Sequence, residues 1–178
     1  MVRRKKMSLK IVNARSWKPT VNDIIALAEI EEHPMVGKWD IPAFGGDVEK
    51  ATAAFRKSLE NPDMNDEFLV AKLEGRVVGF VGIHRFKGEI GEMSHIGEIG
   101  IAVHPRYQRM GIGTKLLEAC VSLAKTRDFK RLEADSLAHN KAMRRLLEKT
   151  GFELEGVRKK RIKRTGKYFD EACYAMLT

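Results

Sequence analysis

Residues 98–114 read Glu-Ile-Gly-Ile-Ala-Val-His-Pro-Arg-Tyr-Gln-Arg-Met-Gly-Ile-Gly-Thr, and this stretch carries the most informative chemistry of the chain. An apolar run stops at His104-Pro105, where proline has no N–H to give a sheet ladder. A basic loop with Arg106 and Arg109 follows, then Gly111 and Gly113, then an amphipathic run. Glycines at the mouth of a helix let backbone N–H groups approach a ligand closely. The first helical N–H groups lack intrahelical partners and lie at the positive end of the helix dipole. Together they make a cradle for a pyrophosphate. The spacing is neither GxxxxGK[ST] nor GxGxxG, which sets it apart from the P-loop and the dinucleotide fingerprint. A plain strand-to-helix turn would account for Gly-x-Gly alone. Strand, basic loop, glycines and helix in that order favour the cradle.

The remaining reactive side chains are scattered. His84, His95 and His104 fall in a strand-rich region without carboxylates at ligand spacing, so no metal site is expected. Cys120 and Cys173 have neither CxxC nor metal spacing and read as free thiols in a reducing, cytoplasmic setting. Neither sits in a recognisable nucleophile setting. Residues 158–167 carry seven basic side chains and no acid. That run reads as an exposed strand and turn, or as an attraction for a phosphate or an anionic surface such as a ribosome. Few aromatics interleave with it, so a stacking platform for nucleic acid is not expected.

Around these groups the pattern of apolar residues sets out the elements. Thr20 can cap a helix that buries Ile24, Leu27, Ala28 and Ile30, and Asp47 a second one that Asn61-Pro62 ends. Residues 37–46 read as a loop. Residues 68–73 and 76–83 form a hairpin turned at Glu74-Gly75. A loop over 87–93 leads to a strand over 95–103. A helix over 111–127 has Ile112, Leu116, Leu117 and Cys120 on one stripe. A strand over 131–136, a helix over 140–150 stopped by Gly151, and a closing pair turned at Thr165-Gly166 complete the order. The expected fold is α/β: a single mixed, mostly antiparallel sheet flanked by helices, in one domain over 1–178. Residues 1–10 read as a basic tail, with Met7 a second candidate start. Residues 68–178 hold the cofactor-binding and closing strands.

The loop Gln108-Arg109-Met110-Gly111-Ile112-Gly113 after an apolar strand resembles the signature of the GNAT superfamily of N-acetyltransferases. A second match follows: Asn140, then Leu146-Leu147-Glu148-Lys149-Thr150-Gly151-Phe152. Glu155-Gly156 and Gly166-Lys167-Tyr168-Phe169-Asp170 with Met176 look like the branch containing ribosomal-protein alanine and small-amine acetyltransferases. The resemblance covers 68 to the C-terminus. It implies the co-substrate acetyl-coenzyme A and an amine acceptor, either a protein N-terminus or a small molecule. Backbone groups of Ile101, Ala102 and Val103 are expected along the pantetheine arm, with a bulge opening the strand from its neighbour. Backbone N–H groups of Arg109, Met110, Gly111, Ile112, Gly113 and Thr114 are expected on the pyrophosphate. Asn140 holds the cofactor arm, caps its helix, or does both. A homodimer is the family expectation.

Transfer to an amine needs a neutral nitrogen, hence a base. Glu98 is the first candidate because it precedes the cofactor-contacting segment, with Glu133 and Asp135 on the next strand as rivals. The resemblance supplies the N–H of Val103 as donor to the carbonyl oxygen. Many relatives place a tyrosine, as general acid, where this chain has Leu147. Tyr168, Tyr174 or water is left to protonate the thiolate. Trp39, Phe44 and the acids Glu31, Glu32, Asp40 and Asp47 lie around the first loop, a region that the resemblance implies shapes the acceptor pocket, and acids there would suit a cationic amine or a basic peptide N-terminus.

The net charge of +9 and 43% apolar content fit a folded basic domain. No run approaches the roughly 20 apolar residues of a membrane span. Two other functions remain in play: a non-catalytic acyl-coenzyme A sensor, and a basic protein bound to ribosome or nucleic acid.

Overall fold

The computed structural model describes residues 8–38, 43–60, 67–85 and 91–178. Seven strands form one sheet in the order β1-β2-β3-β4-β5-β7-β6. They are β1 Leu9–Asn13, β2 Glu67–Leu73, β3 Arg76–Arg85, β4 Ile96–Val103, β5 Arg131–Leu137, β6 Glu153–Arg164 and β7 Lys167–Leu177. Every neighbouring pair is antiparallel except β4 and β5. Among the described residues five α-helices accompany them: α1 Val21–Glu31, α2 Pro34–Gly37, α3 Val48–Glu60, α4 Ile112–Thr126 and α5 Lys141–Lys149. The mixed sheet with flanking helices is the architecture expected from the sequence.

Two apolar layers hold the sheet. On one face Leu27 and Ile30 of α1 pack with Phe55 of α3 against Val70, Phe80 and Ala102. On the other, Ile112, Leu116, Leu117 and Cys120 of α4 and Leu147 of α5 pack against Val81, Leu132 and Tyr174. Helices therefore cover β2 and β3 on both faces, and these strands are almost wholly buried. That explains their near-continuous apolar runs. β6 is an edge strand and is exposed along most of its length.

The local signals act as their chemistry dictates. Thr20 and Asp23 form a reciprocal capping box on α1. Asp47 accepts from the Lys50 N–H at 3.0 Å at the start of α3. Glu74-Gly75 and Thr165-Gly166 turn their hairpins with positive φ at both residues. Asn61-Pro62, the expected end of α3, and residues 87–90 of the expected loop lie outside the described residues.

Two elements depart from the sequence reading. Leu9 and Lys10, read as part of a basic tail, belong to β1 and pair with Leu73 and Lys72. Residues 1–7 lie outside the described residues. Gly37, read as the start of a loop over 37–46, ends the short helix α2, with Pro34 in its first turn and His33 as its cap, and residues 39–42 lie outside the described residues. No described helix is long and apolar enough to cross a membrane.

Candidate active site

The site begins where two parallel strands part. β4 and β5 pair only at Ile96–Arg131, Gly97–Leu132 and Glu98–Glu133. β4 then runs on to Val103, still paired with β3 on its other side. Alternate residues of a strand turn their N–H and C=O groups to opposite edges. The His104 N–H bonds the Val78 carbonyl of β3 at 2.9 Å, whereas the His95 carbonyl accepts from Lys130 and Arg131 on the β5 side. Even-numbered residues therefore address β3, and Ile99, Ile101 and Val103 present backbone groups to the gap left by β5. Of the three residues expected on the cofactor arm, Ile101 and Val103 lie on this open edge. Ala102 does not. Its backbone faces β3 and its side chain is buried on the α1 face.

Beyond Val103 the chain makes a 3-10 turn, Pro105–Tyr107, and enters α4. Gln108 secures the connection: its Nε2 donates to the Val103 carbonyl at 3.0 Å. The family pattern marks this position, but its partner, five residues back on β4, carries no sequence signal. Arg109 has φ +61° and Gly111 φ +78°. Gly111 is the N-cap of α4, and no side chain caps the N–H groups there. By contrast Thr20 caps α1 and Asn140 caps α5. The first helical bond of α4 runs from the Lys115 N–H to the Gly111 carbonyl at 3.1 Å. The N–H groups of Ile112, Gly113 and Thr114 precede it and point out of the helix start. Met110 is exposed beside them. A Cβ on Gly113 would lie 3.1 Å from Leu146 Cδ2, so this glycine lets α4 sit close against α5. The open edge and the uncapped helix start are thus consecutive along the chain.

Glu98 is exposed and belongs to the last pair before the strands separate, with His84 and Glu133 directly across from it. It has no ion-pair partner among the described residues. Its rivals are occupied. Glu133 takes the Arg131 Nε at 2.6 Å, and Asp135 takes Arg158 at 2.8 Å.

Asn140 accepts from the Met143 N–H at 3.1 Å through its Oδ1, a helix cap. Leu147 fills the core, fully buried. The Tyr174 hydroxyl is held by Arg144 Nε and Glu148, each at 2.9 Å, and burial pushes its pKa up. Tyr168 is exposed beside the hairpin turn. Burial raises both thiols, pushing Cys120 up to about 12. His84, His95 and His104 do not come together. Among the described residues the group with metal-ligand spacing is Asp135, Glu171 and Cys173, and Arg158 binds both its carboxylates, at 2.8 and 3.0 Å.

Two of the acids expected to suit a cationic acceptor, Glu32 and Asp47, have structural work. Glu32 is buried, and its two oxygens accept the N–H groups of Phe44 and Gly46 at 3.0 and 2.5 Å. Asp47 caps α3. Trp39 and Asp40 lie outside the described residues. A cavity of about 650 Å³ lies between this segment and the β6–β7 hairpin, lined by Glu32, Lys38, Leu137, His139, Arg164 and Phe169.

The basic run over 158–167 is largely paired in place. Arg158 and Arg161 reach Glu171, Lys159 reaches Asp170, and Arg164 donates to the Gly37 carbonyl at 2.6 Å.

Comparison with known proteins converges on one family. The model of the acetyltransferase (GNAT) family matches residues 27–152. An L-amino acid N-acetyltransferase of Escherichia coli is 30% identical over 103 residues, 57% of this chain and 62% of its own. The acetyltransferase Pat of Mycolicibacterium smegmatis is 31% identical over 58% of this chain and 31% of its own. The aligned regions thus span less than two thirds of either relative. A putative acetyltransferase from Salmonella typhimurium, solved with acetyl-CoA, superposes with a TM-score of 0.76 at 20% identity, covering 96% of this chain and 93% of that one. A ribosomal-protein-alanine N-acetyltransferase from Brucella melitensis gives 0.77 at 24% identity over 95% and 99%.

Proposed function

The chain belongs to the GNAT acetyltransferase family, and from that premise we propose that it transfers the acetyl group of acetyl-coenzyme A to a primary amine within a ternary complex. The observation that carries this reading is the sequence of two features: an open strand edge at Ile99, Ile101 and Val103, then the uncapped start of α4. The edge suits the amide-bearing pantetheine arm, which can add to it as a strand does. The helix start suits a pyrophosphate, with Arg106 and Arg109 beside it. Acetyl-coenzyme A supplies the activated thioester.

The chain's own groups supply the rest. Glu98, at the fork of the strands and without a competing cation among the described residues, takes the proton from the ammonium, directly or through water. The neutral nitrogen then attacks the thioester carbonyl, its N–C bond forms as the C–S bond breaks, and the second proton of the nitrogen passes to water, which relays it to the departing thiolate. The Val103 N–H lies on the open edge, where it can stabilise charge on the carbonyl oxygen. The coenzyme A thiolate is protonated by water, since Leu147 has no proton to give and the Tyr174 hydroxyl is engaged. No metal is needed for these steps. The raised thiols of Cys120 and Cys173 favour direct transfer over a cysteine-bound acetyl group. The acceptor is a protein N-terminus or a small amine, and the cavity lined by Leu137, His139 and Phe169 is the place for it.

The test is calorimetry with acetyl-coenzyme A on the wild type and Gly111→Glu, followed by a thiol-release screen of amino acids, polyamines and short peptides. A glutamate there places an anion at the pyrophosphate, and circular dichroism checks that the variant is folded. Micromolar binding lost in the folded variant supports the reading. A wild type that does not bind would overturn it.

A further inference from the structure

A pair of histidines joins the acceptor side of the molecule to the end of the cofactor strand. His33 lies between α1 and α2, and its Nδ1 accepts the Met35 N–H at 3.1 Å. His104 follows Val103, and its Nδ1 accepts the Arg106 N–H at 3.2 Å. An imidazole that accepts through Nδ1 is neutral and carries its proton on Nε2. Each ring is thus oriented by its own turn. The two rings meet edge to face, with centroids 5.4 Å apart and planes at 71°. Tyr107 packs on His104 at 5.5 Å.

The position of this contact matters. The residue before His104 ends the open edge of β4. The residue before His33 is Glu32, whose carboxylate holds the 44–46 segment beside the cavity. One ring contact therefore links the strand that would hold the thioester to the segment that would hold the amine.

We propose that His33 and His104 are positioning residues that close the α1–α2 segment onto the end of β4, and that the closure requires both imidazoles in the neutral Nε2–H form. A protonated ring has a donor at Nδ1 as well, which meets a backbone N–H instead of receiving it. Protonation of either ring removes one helix cap, and charging both sets two cations 5.4 Å apart. Burial, His33 and Arg106 hold the His104 pKa below its ordinary value, while Glu29 on α1 opposes them. The His104 side of the closure is therefore intact at neutral pH and lost on acidification, the sense expected where the folded state disfavours the proton. The kinetic consequence rests on the acetyltransferase reading; the imidazole chemistry does not.

Asparagine separates titration from capping, because its carbonyl caps a helix and does not titrate. The experiment compares wild type, His104→Ala, and the double variant His33→Asn/His104→Asn. Nitrogen NMR of the imidazoles, without any substrate, reads tautomer and titration. The amide shifts of Met35 and Arg106 read the caps between pH 5.5 and 8. Expected are Nε2–H tautomers on both rings and wild-type amide shifts that follow the imidazole titration, but stay fixed in the Asn variant. If transfer is found, His104→Ala raises the KM for the amine about fivefold at neutral pH, and the Asn variant restores it. The wild-type to Asn-variant KM ratio rises on acidification, a ratio that cancels ionisation of the amine and of Glu98. An Nδ1–H tautomer, cap amides that ignore the imidazoles, or a KM ratio flat with pH overturns the proposal. Absence of any transfer with the NMR pattern intact rejects the enzymatic reading alone.

Discussion

Gln108 Nε2 donates to the Val103 carbonyl at 3.0 Å, so the side chain that opens the glycine loop also fixes the last residue of the open strand edge. That bond satisfies the Val103 carbonyl within the chain and leaves its N–H for a ligand. Gln108→Ala should therefore loosen the edge against the helix start. A net hydrogen bond contributes about 1 kcal/mol, which is about fivefold in affinity. Calorimetry should give acetyl-coenzyme A binding weakened by that amount, with the melting temperature lowered by no more than about 4 °C. Unchanged affinity would show that the loop holds its place without this bond.

Glu98 and its two rivals make a second comparison. Glu98→Gln removes the proposed base and should lower kcat by about 10²–10⁴-fold while leaving acetyl-coenzyme A affinity intact. Glu133→Gln and Asp135→Asn disturb ion pairs with Arg131 and Arg158 instead, and should change kcat far less. Steady-state rates with one amine decide it. A larger loss for Glu133→Gln would transfer the role to that residue.

Much of this site is legible in the sequence because it is local. Gly111 must be read near any strand-to-helix turn that needs positive φ, and Pro105 marks the end of a ladder by lacking an N–H. The helices and hairpins follow from apolar period and turn residues for the same reason. What the sequence does not carry is pairing between distant segments. The short run at Leu9–Asn13 is a strand only because β2 offers it a partner. β4 and β5 part after Glu98, while β5 stays paired with β7 as far as Leu137. Glu32 looks like a ligand for a cation, yet it serves the backbone of residues 44–46, twelve and fourteen positions away. Ala102 shares a strand with Ile101 and Val103, but only the β3 register reveals that it faces the other edge.

The thiols allow a test of direct transfer. Burial pushes Cys120 up to about 12 and raises Cys173 as well, so little of either is thiolate near neutral pH. Cys120→Ala/Cys173→Ala should retain kcat with the same amine. Intact mass of the wild type mixed with acetyl-coenzyme A should show no acetyl adduct. A cysteine-bound acetyl group that forms and decays at the rate of turnover would refute the ternary complex.

Tyr174→Phe tests the proton for the leaving thiolate. The hydroxyl lies between Arg144 Nε and Glu148, and the ring is 1% exposed. Its loss should cost about 1 kcal/mol of stability through the broken bonds. It should leave kcat unchanged if, as proposed, water serves the thiolate. Urea unfolding and steady-state kinetics on one preparation separate the two effects. A large fall in kcat without loss of stability would make Tyr174 the general acid.

Glu67 should prove structural by the same reasoning. Its side chain is 5% exposed and receives Arg15 at 3.1 Å and Arg127 at 2.9 Å, which draws β2 to the turn after β1 and to the C-terminal end of α4. Breaking a buried ion pair by removing one partner costs about 3–5 kcal/mol. Here the arginines are 37% and 45% exposed, so water recovers part of that, and Glu67→Gln should cost about 2 kcal/mol. The uncapped start of α4 lies at the opposite end of that helix, so acetyl-coenzyme A affinity should not change. Urea denaturation followed by calorimetry checks both. A weakened cofactor site in a variant that unfolds at the wild-type midpoint would mean that Glu67 acts along α4 on the cradle itself.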